Sequence, residues 1–342
     1  MMDQRTNMAS EKQVAVTPTG ATGVAARIAG IAALIAAGIG LYLAPSILNN
    51  YGLYLLSYWA ITAIAVQGLN LTMGYAGKVS LAQASFMGIG AYTSTLLIQK
   101  LGFNFWLAGA IAVIACIAIG ALVGFPALRV KGHYLAFVTL GFNELVILVL
   151  RNEDWLTYGS LGILNIKRPD ILGVSLFSHT NFYYFCMVTL LLVSAAVWFV
   201  VRSPWGQAFR AIRDNTYRAE SLGLSTTTYT LLAFAIGAAL AGIAGVMVAP
   251  LVEFTEPGFY ALERSLIFIL MLMVGGRGTL SGPFIGAFIV IILPEWLRFT
   301  EDLYLILFSI FVMVLIIFFP QGVAGLVPYL QRLITSKTQK EG

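Results

Sequence analysis

Charge is what this chain has least of. Asp, Glu, Lys and Arg together make up 10% of its 342 residues, where a soluble globular domain carries about 25%, so a water-facing surface cannot be built from it. Cysteine is scarce as well: Cys116 and Cys186 stand far apart inside apolar runs. Such a pair frames neither a disulfide scaffold nor a metal site, and both read as small core residues. Histidine is limited to His133 and His179, each near the end of an apolar stretch, which excludes a histidine-rich metal centre. The string Gly74-Tyr75-Ala76-Gly77-Lys78-Val79-Ser80 lacks the glycine spacing, and the hydroxyl directly after lysine, that a phosphate-binding loop requires. No cofactor is implied, and any ATP hydrolysis has to come from another chain.

What fills the sequence instead is apolar length. Hydrophobic residues make up 59% of it, in windows long enough for bilayer crossings of about 20 residues each. The windows are 27–45, 52–72, 84–99, 105–128, 133–150, 181–201, 227–250, 259–275, 282–299 and 303–319, which predicts an all-α polytopic membrane fold of about ten helices. The third window is short and glycine-rich, and the ninth is interrupted by Pro294 and Glu295. Residues 1–26 and 326–342 read as polar tails around one membrane domain at 27–325; the first tail has no signal-cleavage pattern. Lys and Arg gather on the segments that share a side with both termini, while most acids fall on the other side. The positive-inside rule then puts both termini in the cytoplasm. The net charge of +5 reflects that topology and calls for no nucleic acid.

One segment breaks the apolar pattern. From 202 to 226 the chain reads RSPWGQAFRAIRDNTYRAESLGLST, charged and amphipathic between two long apolar windows. Trp205, Phe209, Ile212, Ala219 and Leu222 recur at helical spacing, with Arg210, Arg213, Asp214 and Arg218 mostly between them. That pattern predicts a short helix with one apolar and one basic face, lying at the membrane interface and offered to a soluble partner. Gly223 is placed to end it in a left-handed conformation.

Two glycine-rich breaks lie within the membrane windows. In the stretch 68–92, Gln67, Asn70, Thr72, Ser80, Gln83 and Ser85 cluster among Gly74, Gly77, Gly88 and Gly90. Backbone freed by such a break is buried in protein or lines a wet cavity, so Asn70, Gly74, Gly77, Ser80 and Gln83 are candidates for a translocation path or gate. Close helix packing through small residues is the alternative. A second break, 274–288, repeats the pattern Gly-x-x-Gly followed by Lys or Thr, a branched apolar residue and Ser: Gly74 to Ser80, and Gly275 to Ser281. Glu144, beside Asn143 and a turn from Thr139, is the acid placed deepest in a window. A carboxylate there is a functional candidate by default, and the three residues join the path set.

At these motifs the chain resembles LivM-type permeases, one of two membrane subunits of branched-chain amino acid ABC importers. The resemblance runs from about Tyr54 to Gly325. It rests on NLTMGYAGKVSLAQASFMGIGAY (70–92), LRVKGHYLAFVTLGFNELV (128–146), the block from Ser203 to Gly245, and GGRGTLSGPFIGA (275–287). It implies that 202–226 is a coupling loop docking on an ATPase through Trp205, Phe209, Arg210, Ile212, Arg213, Ala219, Leu222 and Gly223. Tyr217 stands where many such importers have Glu. It also implies the partners: a second homologous permease (LivH-like), two ATPase subunits (LivG- and LivF-like), a periplasmic substrate-binding protein and membrane lipid. The implied setting is the bacterial inner membrane, and the implied cargo is leucine, isoleucine or valine. Related importers carry urea, short amides or other amino acids. An ion-coupled secondary transporter would rest on Glu144 alone and would leave the amphipathic segment without a use.

Overall fold

The computed structural model describes residues 38, 40–127, 134–171, 174–319 and 322–325. The tails at 1–26 and 326–342, most of the first expected crossing, His133 and the start of the 128–146 motif lie outside them. The chain divides into two compact units, 1–49 and 50–342. In the first, residues 40–47 are helical, and Leu48 N donates to the Ala44 carbonyl at 2.9 Å.

The second unit is a helical bundle. Helix α1 spans Asn50–Leu69 and widens into a π-helical stretch at Asn70–Tyr75. There follow α2 (Gln83–Leu101), α3 (Phe105–Ala127), α4 (Tyr134–Asn152), α5 (His179–Arg202), the short α6 (Pro204–Asp214) and α7 (Thr216–Ser221), α8 (Thr226–Val252), α9 (Leu262–Gly275), α10 (Gly282–Leu297) and α11 (Tyr304–Phe318). Helix α8 packs on α1, α2 and α3, while α1 also meets α5 and α10. This core is made of small residues. A Cβ on Gly68 would sit 2.6 Å from the Gly237 carbonyl oxygen, and one on Gly90 would strike the backbone of Gly242. Such backbone-to-backbone approach is how membrane helices gain dispersion contacts when lipid removes the hydrophobic drive to associate. Many large apolar side chains face outward, among them Leu122, Phe137, Leu191, Phe199 and Ile317, all exposed. A surface this apolar faces lipid rather than water.

Among the described residues, six helices are individually long and apolar enough to cross a membrane: Asn50–Tyr75, Phe105–Phe125, Tyr134–Asn152, His179–Arg202, Thr226–Val252 and Pro257–Gly275. Gly282–Leu297 and Ile306–Leu315 are shorter apolar helices. The chain is therefore a multi-pass membrane protein, and the count of about ten crossings expected from hydropathy is not confirmed. Helix α2 stays out of the set because its polar side chains, Gln83, Ser85, Ser94 and Thr95, serve the interior, where all are buried.

At the end of the bundle away from the helix breaks, two-residue strands order the loops. Strand β1 (Ile163–Leu164) pairs antiparallel with β4 (Phe254–Thr255), and β2 (Asp170–Ile171) with β3 (Val174–Ser175). Arg168 is buried beneath them. It donates to the Phe177 carbonyl at 2.9 Å, pairs with Glu253 at 3.2 Å and lies over the Phe182 ring. One guanidinium thus ties the 151–180 loop to the end of α8.

Candidate functional site: an amphipathic segment tied to two helix breaks

The amphipathic segment folds as two helices rather than one. Ser203 caps α6 by accepting from Trp205 N at 3.2 Å, with Pro204 in the first turn, where a missing N–H costs nothing. Asn215 then leaves helical geometry and caps α7 by accepting from Arg218 N at 3.0 Å. At the far end, Gly223 has φ +83°. Its N–H meets the Glu220 carbonyl at 2.9 Å, and Leu224 N meets that of Ala219 at 3.1 Å. This paired closure is a Schellman turn, which a left-handed glycine makes without strain.

The apolar face of α6 turns inward. Phe209 and Ile212 are 0% and 1% exposed, on a helix that lies against α5, α8 and the π-helical stretch. Ala219 is buried too, and Arg210 donates to the Val201 carbonyl at the end of α5, 3.1 Å away. The expectation that Phe209 and Ile212 face a partner is corrected: their apolar area is already spent inside this chain. What the segment presents outward is Trp205, Tyr217 and Leu222, 46%, 72% and 80% exposed, with Arg218 and Asp214 beside them.

Arg213 points the other way, into the breaks. Its Nη1 donates to the Gly74 carbonyl at 2.9 Å, and its Nε contacts Asp214 at 3.3 Å. Gly74 lies in the π-helical stretch, where widened backbone frees carbonyls from their usual partners. Asn70 links this stretch to the second break. Its Oδ1 accepts from Gly278 N at 2.8 Å, and its Nδ2 donates to the Thr279 carbonyl at 2.7 Å. Gly77 and Gly278, equivalent in the repeated sequence pattern, have φ +70° and +73°. Each break also connects the end of one helix to the start of the next. Beside them lies a cleft of about 590 Å³ lined by Met73, Gly77, Arg213, Asp214 and Arg277 among others.

The comparisons with known proteins belong to this geometry. Residues 51–320 match the family described as "Branched-chain amino acid transport system / permease component". The chain belongs to that family. It is 32% identical over 278 residues to the high-affinity branched-chain amino acid transport system permease protein LivM of Salmonella typhimurium. It is 33% identical over 279 residues to the LivM protein of Escherichia coli. Each match covers 75% of this chain, and the chain spans 65% of the length of these relatives. An autoinducer 2 import system permease protein, LsrC of an Enterobacter species, is 31% identical over 190 residues, covering 52% of this chain and 53% of the relative. No solved structure matches.

Within this permease-family fold, the other candidate path residues occupy buried joints between helices. Gln83 donates to the Ala65 and Gly237 carbonyls at 2.7 and 3.3 Å, stitching α2 to α1 and α8. From α4, Thr139 accepts from Leu81 N, just before α2, at 3.0 Å, and Asn143 accepts from Ser85 on α2. Ser80 is buried and caps locally toward Ala82 N at 3.4 Å. Glu144 is separated from this set: it lies on the exposed face of α4, while Thr139 and Asn143 lie on the buried one. The structure thus gathers Asn70, Gly74, Gly77 and Arg213 into one cluster. Thr139 and Asn143 on α4 meet the start of α2 through Leu81 N and Ser85, and Gln83, beside them in sequence, turns instead to α1 and α8. The role of Arg213 in joining segment to break was not visible in the sequence, because a basic residue on an amphipathic helix reads as solvated. The flanking glycine at Gly77 is the trace of it: a Cβ there would meet the Arg213 side chain at 2.6 Å.

Proposed function

We infer that this chain is the membrane-spanning permease subunit of an ATP-binding cassette importer that moves leucine, isoleucine and valine across the bacterial inner membrane. Both termini are cytoplasmic in this reading. A periplasmic binding protein delivers the amino acid, and this chain and a homologous LivH-like permease form the path. Two separate ATPase subunits, LivG- and LivF-like, hydrolyse ATP and dock on α6–α7. The likeness to the LivM proteins supports the substrate. The observation that carries the mechanism is the Arg213–Gly74 hydrogen bond, because it gives the docking segment a direct hold on the helix breaks.

In mechanical terms, closure of the ATPases displaces α6–α7. Arg213 passes that displacement to the Gly74 carbonyl, and Asn70 passes it to the 276–281 loop. ATP shifts the inward/outward equilibrium only through contacts that differ between the two states, and these hydrogen bonds are the natural candidates. The apolar packing of Phe209 and Ile212 makes the segment a rigid lever rather than a loose loop. A different small solute is the second reading, favoured by the match to permeases named for autoinducer 2. The test is to co-purify the chain with its ATPases, add each candidate binding protein with its ligand, and record hydrolysis. Stimulation by leucine-loaded binding protein is expected. Stimulation by another solute alone would move the substrate assignment to that solute.

A further inference from the structure

Between α1, α2, α8 and the start of α9 lies a second cavity of about 130 Å³, open on one side. Its wall is apolar and aromatic: Met87, Val248, Val252, Tyr54 and Tyr58 contribute. Arg264, in the first turn of α9, also lines it, with its guanidinium 5.8 Å from the centre of the Tyr58 ring. Among the described residues no carboxylate lies within ion-pairing distance of Arg264. A half-buried cation within a membrane-crossing segment is costly unless it meets an anion. The described residues supply none here.

We propose that this cavity is the permease's own recognition site for its substrate, with Arg264 receiving the carboxylate and the apolar wall taking the aliphatic side chain. The proposal rests on the reading that the cargo is a branched-chain amino acid. Three observations fit it. The guanidinium fork matches a carboxylate in two parallel hydrogen bonds, and the first turn of α9 adds the positive end of a helix dipole. Apolar cavities of about 150 Å³ hold a six-carbon ring, so the space here suits a side chain of valine or leucine size. Finally, Tyr54 and Gly74 lie on one continuous helical run, which sets the cavity about 30 Å from the breaks. In the proposed topology that is the outer mouth, where delivered substrate arrives. The sequence signal is slight. Positive-inside counting treats Arg264 as one more outer charge, whereas its helix carries it into the bundle wall.

The test uses the full chain with its co-expressed partners in nanodiscs, without ATP or binding protein, and measures binding of radiolabelled leucine. Leucinamide lacks the carboxylate and 4-methylpentanoate lacks the amine. The second is expected to displace leucine, and the first to be weaker by about tenfold or more, as loss of a charged bidentate pair implies. Arg264→Gln should lose about tenfold in leucine affinity and Arg264→Lys less, since the charge remains. Val248→Ala enlarges the cavity and should shift the preference from valine toward phenylalanine, a change of selectivity that a purely structural role would not produce. Unchanged affinity in Arg264→Gln, or equal binding of leucinamide, overturns the site. If the complex takes up leucine in liposomes while no leucine binds here, the site falls and the proposed function stands. If aliphatic carboxylates bind through Arg264 but none of the three amino acids is transported, the site stands and the substrate reading falls. Absence of both overturns both.

Discussion

Asn70 uses both halves of its carboxamide on the loop of the second break, so its value lies in what would be left unpaired without it. Asn70→Leu is close in volume yet strands the Gly278 N–H and the Thr279 carbonyl, partly buried groups that cost about 1–3 kcal/mol each when unsatisfied. The expected result is a lower thermal unfolding midpoint for the purified protein, together with loss of transport. Arg213 differs in kind. Its side chain is 38% exposed, so solvent screens its bond to Gly74 and the contribution to stability is about 1 kcal/mol or less. Arg213→Met should therefore leave the unfolding midpoint nearly unchanged while separating ATP hydrolysis from uptake. Equal losses of stability and uptake would make Arg213 a packing residue only.

For α6 and α7, burial decides which side chains can answer to a partner. Phe209→Ala removes a fully buried ring and should cost about 3–5 kcal/mol, seen as proteolytic nicking between α5 and α8 with or without the ATPase. The pair Trp205→Ala and Leu222→Ala, on exposed positions, should leave folding intact and weaken ATPase retention by about 2 kcal/mol. That is roughly thirtyfold in dissociation constant, measurable by co-elution under dilution. The sequence made much of this element legible: its amphipathic period, its basic character and the left-handed glycine at its end all read directly from residue spacing. Periodicity marks a sticky face but does not say which body covers it, and so spacing alone turns Phe209 and Ile212 outward. The break at Asn215 is hidden for a related reason: helical spacing on either side continues through a residue whose carboxamide caps the next helix instead.

On the scale of the whole molecule, low charge and apolar windows of about 20 residues were enough for an all-α membrane fold, because a helix of that length satisfies its own backbone across the bilayer, whereas a barrel strand needs only about ten residues of alternating character. The number of crossings was not legible. Hydropathy treats each window as facing lipid, whereas α2 hides its polar side chains against α1, α4 and α8. The pairing of the two breaks was legible only as a faint repeat, since the hydrogen bonds that join them span 208 and 209 residues of sequence. Topology is checked by single-cysteine labelling with an impermeant reagent after replacement of Cys116 and Cys186. A cysteine at Lys167 should label from outside, and one at Asn215 only after permeabilisation. In the proposed function, this permease moves a branched-chain amino acid when its partners hydrolyse ATP. The most direct measurement is uptake of radiolabelled leucine into ATP-loaded proteoliposomes holding the full complex, with the binding protein outside. ATP-dependent, binding-protein-dependent accumulation that disappears in Arg213→Met is the predicted result. Accumulation driven by an ion gradient without ATP, or none for leucine, isoleucine or valine under any condition, would contradict it.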